Sequence, residues 1–428
     1  MSTDTPKTSD TPADPSTGKT SLGLVFVIVF IDLLGFAIVL PLLPRYGHQL
    51  NADDKTIGLL FASYSAMQFI FSPLWGRLSD RIGRRPALLA GLAGSVIFYT
   101  LFGLASRWES LTWMFIARIG AGISGATIST AQAYIADATG LKGRAKGMAL
   151  IGAAFGVGFT FGPIIGAVSL SKMEEQHGLN AFPMYLAAGL SLIAFIVAFF
   201  KLPESLRAGS VPTRRSWFNF GALNQAMQIP TVGSLLLLFF ISTFAFAQFE
   251  STLSRLTDGV FHVSDTKNFY LFSYIGLTLC IMQGLVVRKL VGKIGEPGMI
   301  VIGCVLMGSG LWLVGVSAQQ ESYTMLLWIL PILVGGFSFV TPSVQSLISR
   351  RSDPARQGEI LGVNQSASSM ARILGPILGN VLFGKGHILP YQVAAALIAP
   401  ALLMAFYTAK SGQDWQAAGA PIPPGETT

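Results

Sequence analysis

Four ionisable residues stand within apolar runs of this 428-residue chain: Asp32, Arg118, Glu250 and Arg372. Asp32 lies about midway along a run near 22–43, with Gly35, Phe36 and Val39 on its helical face. A charged carboxylate is costly in apolar surroundings, so Asp32 can act as a proton carrier or be held by a structural hydrogen bond to a neighbouring helix. Arg118 opens a stripe with Gly122, Gly125, Ser129 and Gln132, all on one helix face, and Arg372 shares a face with Asn364, Ser368, Gly375 and Gly379. Neither guanidinium can face an apolar solvent. Each should line a cavity or pair with a carboxylate, Asp32 or Glu250, and a purely structural ion pair is the other reading. Glu250 ends its run, with Thr243 and Phe246 on its face, so it either joins that chemistry or is solvated at the outer mouth. Side chains placed to touch a small molecule are Ser129, Gln132, Gln345, Asn364 and Ser368, with the aromatics Tyr134, Phe337 and Tyr274.

The stretch GRLSDRIGRRP at 76–86 is a second cluster. Gly76 and Gly83 allow a close approach and a turn, and Pro86 suits the first turn of a following helix. Asp80 can face the positive amino end of another helix, and Arg81, Arg84 and Arg85 can pair with Asp137. Together they form a latch that holds an inner mouth shut; the plainer alternative is a basic loop that only sets orientation. A third cluster, Gly158, Gly162, Pro163 and Gly166, allows close helix packing, with Pro163 bending the helix, and is expected to seal a seam between the fifth and eighth helices.

These residues need a scaffold, and composition dictates its kind. With 51% hydrophobic and 12% charged residues and a mean hydropathy of +0.58, the chain is too apolar for a water-soluble protein. Apolar spans lie near 22–43, 57–75, 87–105, 111–136, 147–170 and 184–200. Six more follow near 231–251, 269–287, 298–317, 325–348, 359–383 and 388–408. The fold class is all-α and polytopic, with twelve transmembrane helices in two six-helix bundles. The parts are a tail at 1–20, a first bundle at 21–200, a linker at 201–230, a second bundle at 231–408 and a tail at 409–428.

Of 29 Lys and Arg, 20 fall on the side of both tails, which places both termini in the cytoplasm. The net charge of +8 is spread between the apolar runs rather than gathered in one patch, which argues for lipid headgroups and against nucleic acid. The halves are copies: Gly122, Gln132, Gly162-Pro163 and Gly166 find Gly335, Gln345, Gly375-Pro376 and Gly379 at an offset of 213, while Gly83 meets Gly295 at 212. Parallel halves of this kind place a binding site at the midplane between them.

The loop at 76–86 resembles the signature of the major facilitator superfamily, and the resemblance covers essentially the whole chain. Three further stretches, IDLLGFAIVLPLLP at 31–44, ARIGAGISGATISTAQAYIADATG at 117–140 and GVGFTFGPIIGA at 156–167, are similar to the twelve-helix drug:proton antiporters. The first two are most similar to the tetracycline-efflux transporters, and the third resembles the antiporter motif, with Ala167 where a second Gly is usual. The resemblance implies roles in transport for Asp32 and in proton coupling for Arg118. Spans 87–105 and 298–317 carry no Asp or Glu, unlike the tetracycline-efflux pattern, so another amphiphilic compound is as good an expectation as tetracycline.

The expectation is a proton-coupled exporter of small amphiphilic compounds in the inner or plasma membrane, monomeric, working by alternating access. No Gly-x4-Gly-Lys-Ser/Thr loop is present, so energy comes from an ion gradient and no cofactor is called for. A proton symporter or uniporter for a nutrient is the alternative within transport, and a sensor that kept the fold but not the flux is the alternative outside it. No zinc-hydrolase or nucleophile-elbow pattern suggests an enzyme, and Cys280 and Cys304, within apolar runs, have no metal-ligand spacing.

Overall fold

In a bilayer, backbone N–H and C=O groups must bond within their own segment, so an apolar chain of this kind crosses as helices. The computed structural model describes residues 15–171, 180–206, 227–229, 231–352, 357–411 and 414, and among these there is no strand. Residues 1–14, 207–226 and 415–428, which hold most of the expected tails and linker, lie outside the described residues. Residues 15–20, expected in the amino tail, instead open the first helix; Pro15 is its first residue, where a missing N–H costs nothing.

Helix α1 (Pro15–Val39) stops short of Pro41, and α2 (Leu42–Gln49) follows. The expected span 22–43 is therefore broken, because a residue before proline is disfavoured in helical conformation. Helix α3 (Asp54–Ile82) is capped by Asp53, whose carboxylate accepts from the Thr56 N–H at 2.9 Å. It ends at Gly83, whose φ of 104° suits only glycine. Then come α4 (Arg84–Arg107), α5 (Leu111–Gly125), α6 (Ile128–Ser171) and α7 (Phe182–Lys201). The expected span 111–136 is split at Ala126 and Thr127, while helical bonding continues through the expected loop between the fourth and fifth spans. The second half comprises α8 (Val232–Gly259), α9 (Asp265–Ile281), a π-helical turn at Met282–Val287, α10 (Arg288–Gln319), α11 (Tyr323–Arg350), α12 (Gln357–Lys385) and α13 (Leu389–Ser411).

Among the described residues, nine helical stretches are long and apolar enough to cross a membrane. One of them, Asp265–Gln319, is 55 residues long and holds two expected spans on either side of a kink at Gly295. The expected spans 147–170 and 359–383 are helical too, within α6 and α12, so all twelve fall on helix.

The two halves repeat at atomic detail. Gly83 and Gly295 are the glycines with positive φ among the described residues, at 104° and 75°. A β carbon on Gly162 would meet Ala37 Cβ and the Leu34 carbonyl at 2.8 Å; one on Gly375 would meet Ala247 Cβ and the Phe244 carbonyl at 2.9 Å. The apolar cores divide accordingly. One large cluster, from Val232 to Ala405, and a small one of Val287, Met299 and Phe339 fill the second bundle, and two others fill the first, one of them taking in Phe269 of the second half.

Candidate functional site

Five helices, three from the first bundle and two from the second, line a small, partly open cavity. Its wall is formed by Phe36 of α1 and Leu40 just beyond it, Phe61 and Ser65 of α3, Arg118 of α5, Ala247, Glu250 and Ser251 of α8, and Arg372 and Pro376 of α12. Three of the four ionisable residues singled out in the sequence thus face one space. Glu250 belongs to the wall rather than to solvent at a helix end, and it lies within electrostatic reach of Arg372. Arg118 is 1% exposed and sits over Tyr64 and Phe36, its guanidinium carbon 4.7 and 5.7 Å from the ring centres. Among the described residues neither arginine forms an ion pair with Asp32 or Glu250.

Asp32 lies one turn before Phe36 and faces α4. Ser95 donates to its Oδ1 at 3.1 Å, and the Tyr99 hydroxyl donates to its backbone carbonyl at 3.3 Å. Gly35 makes room for the Tyr99 ring, which a β carbon there would approach to 2.6 Å. Ser95 and Tyr99 were not singled out in the sequence. Their signal was two polar groups one turn apart in a span without acids.

The cluster at 76–86 gathers around Arg84. Its Nη1 lies 2.6 Å from Asp80 and also donates to Ser79 Oγ at 2.6 Å, while its Nε meets Asp137 at 3.1 Å. Arg85 donates to the Phe199 carbonyl at 2.5 Å, and Arg81 is exposed. The amino end of α4 is held by Glu204, which sequence reading missed; it accepts from the Arg84 and Arg85 backbone N–H groups at 2.8 and 3.1 Å. Asp80 therefore meets the Arg84 side chain rather than the amino end of another helix. The second half mirrors this cluster with the signs exchanged: at offsets of 212 and 213, Arg84 and Asp137 become Glu296 and Arg350, paired at 2.9 Å.

The described hydrogen bonds and ion pairs that join the two bundles all lie at the opposite end. Arg255 pairs with Asp54, Arg45 pairs with Asp265, and the Ser254 hydroxyl donates to the Pro41 carbonyl at 2.8 Å. Arg255 also donates to Asn380 Oδ1 at 3.1 Å and lies 4.5 Å from the Phe383 ring centre. Nearby His48 is held below the ordinary histidine range, by burial first and by Arg255 second, so it stays neutral at pH 7 and leaves Asp54 to Arg255. The two bundles are thus bonded to each other at the Asp54 end, while the Asp80 cluster bonds within its own bundle.

The glycine motif of α6 divides its work between the expected seam with α9 and packing within its own bundle. Gly158 and Gly162 pack on α1 of their own bundle, and Gly166 packs on Phe269 of α9 in the other. A close backbone approach between α6 and α9 is at Gly276, where a β carbon would lie 2.3 Å from the Phe159 carbonyl. Pro163 stands within α6, and Gly76 has open space around it.

Two aromatic residues expected to contact substrate belong to the core instead. Tyr134 is 1% exposed and donates its hydroxyl to the Pro203 carbonyl at 2.9 Å; Phe337 stacks on Phe246 with ring centres 4.0 Å apart. Ser129 donates to the Ser72 carbonyl at 2.9 Å, Asn364 and Ser368 are buried, Gln132 is partly exposed and Gln345 exposed. None of these lines that cavity.

The family model of the Major Facilitator Superfamily matches residues 25–376 and 284–420. The chain is 32% identical over 374 residues to a class E tetracycline resistance protein of Escherichia coli, covering 84% of this chain and 87% of the relative. It is 28% identical to multidrug resistance protein 2 of Bacillus subtilis, over 88% and 92% of the two chains. Among solved structures, the human organic anion transporter MFSD10 is similar at a TM-score of 0.65 and 25% identity, covering 92% of this chain and 100% of that one. A POT family transporter reaches a TM-score of 0.72 at 16% identity, over 92% and 96% of the chains, a likeness of fold.

Proposed function

The chain belongs to the Major Facilitator Superfamily, and from that premise we propose that it exports small amphiphilic compounds from the cell in exchange for protons. The observation that carries this reading is the cavity between the bundles, walled by Arg118, Glu250 and Arg372, with Asp32 one turn away from it on α1. Alternating access needs a site reached from one side at a time, and interbundle bonds gathered at one end suit that cycle. The relatives named for tetracycline and multidrug resistance support efflux.

Within this reading, Asp32 takes a proton from the outer side and gives it up inside. Each proton that enters down a potential of ~100 mV contributes about 2.3 kcal/mol. Asp80, Arg84 and Asp137 close the inner mouth when the Asp54 end opens, both termini lie in the cytoplasm, and the working unit is a monomer in the inner membrane. The test is flux in proteoliposomes under an imposed pH gradient. Asp32→Asn keeps the shape of the side chain but cannot exchange a proton, so it should abolish pH-driven flux while the protein remains folded. Undiminished pH-driven flux in that variant removes Asp32 from the mechanism. Flux of a nutrient in the same direction as protons would replace export with symport.

A further inference from the structure

The cavity carries an imbalance of charge that proton coupling does not explain. Its wall holds two guanidinium groups, Arg118 and Arg372, against one carboxylate, Glu250. Glu250 is within reach of Arg372, and Asp32 is engaged by Ser95 and lies outside the wall. Arg118 is the cation left over. It is 1% exposed, and neither Nη1 nor Nη2 has an acceptor among the protein groups. Its Nε reaches only the Leu60 carbonyl, at 3.5 Å. The rings of Tyr64 and Phe36 steady the planar group without accepting its outer N–H bonds.

A buried guanidinium with two unmet donors bears a desolvation cost that an aromatic face offsets only in part. Two such donors side by side are the complement of a carboxylate or sulfonate, which accepts both at once. An anion arriving there would satisfy both nitrogens and cancel the excess charge. Its apolar body would rest against Phe36, Leu40 and Phe61, which line the same wall.

Resting on the reading of this cavity as the transport site, we propose that Arg118 recognises the substrate's anionic group and that the compounds carried are monoanionic amphiphiles, a carboxylate or sulfonate joined to a compact apolar body.

The test is equilibrium dialysis of the purified full-length protein against three isosteric pairs: benzoate and benzamide, 1-naphthoate and 1-naphthamide, indole-3-acetate and indole-3-acetamide. 1-Naphthylmethylamine supplies the opposite charge. At least one acid should bind about tenfold or more tightly than its amide, with the amine weakest, because a site built for a charged acceptor rejects an analogue that lacks it. Arg118→Gln should erase the preference for the acid while amide binding persists, and Arg118→Lys should restore part of it. Acids no better than amides, no binding by any acid, or a preference that survives Arg118→Gln would each overturn the proposal. Should Arg118→Gln fail to fold, the order acid, amide, amine on the wild-type protein decides alone, and any other order counts against it. Acid preference without pH-driven flux would sink proton-coupled export and leave the anion site standing. Coupled flux of a neutral or cationic compound, with no acid preference, would do the reverse.

Discussion

A β carbon on Gly35 would lie 2.6 Å from the Tyr99 ring, and the Tyr99 hydroxyl reaches the backbone of Asp32. Gly35→Ala should therefore displace the wall of α4 that Asp32 faces, at an overpacking cost of about 1–3 kcal/mol. A lower melting temperature in detergent and weaker pH-driven flux are expected, and Tyr99→Leu in the same chain should recover the melting temperature. A single variant that melts like the wild type would mean that the ring yields freely. Tyr134 provides the contrasting case. Its one described hydrogen bond is to the Pro203 carbonyl, so Tyr134→Phe should lower stability by about 0.5–1.5 kcal/mol and leave affinity for a transported compound unchanged. Altered affinity would return Tyr134 to the substrate path.

At the scale of helices, small residues set which elements touch, because in lipid packing geometry rather than solvent drives helix association. Gly162 and Gly375 make the same contact in their own bundles, with α1 and α8 respectively. Leu at either position should harm expression and melting temperature to a similar degree; a large difference would show that the repeat is not energetically symmetric. Gly276 is different because it faces Phe159 and Thr160 across the bundles. Gly276→Leu should leave each bundle folded but raise proton leak and uncouple flux. If leak and coupling stay normal, the seam between α6 and α9 is not the seal.

For the molecule as a whole, the described bonds between the bundles gather at the Asp54 end. Arg45 and Asp265 are in contact there, so cysteines at the two positions, joined by a cleavable bifunctional thiol crosslinker, should stop transport until the link is cleaved. Asp54→Asn should act in the opposite sense. Loss of a charge-assisted bond of about 1.5–3 kcal/mol shifts the two-state balance roughly 10- to 100-fold toward opening at that end. Spin labels across that mouth should then report longer distances, and unchanged distances would show that apolar packing alone holds it closed.

The amino-acid sequence by itself determined the helical spans, the doubling of the halves and which ionisable residues lie within apolar runs, because each is a local or periodic property. Apolar length dictates a span, a constant offset reveals a copy, and a charge inside an apolar run needs a reason to be there. Gly83 and Gly295 were legible as a pair before their positive φ angles were seen. What only the tertiary structure decided was partnership. Ser95 rather than an arginine bonds the Asp32 carboxylate, Glu204 rather than a helix of the other bundle engages the loop at 76–86, and Gly162 faces α1 rather than α9. Helix periodicity fixes which residues share a face, but the neighbour of that face depends on how the helices rotate and on which mouth is closed. The contacts between Asp54 and Arg255 and between Arg45 and Asp265 join residues some 200 positions apart, and no spacing within either helix encodes them.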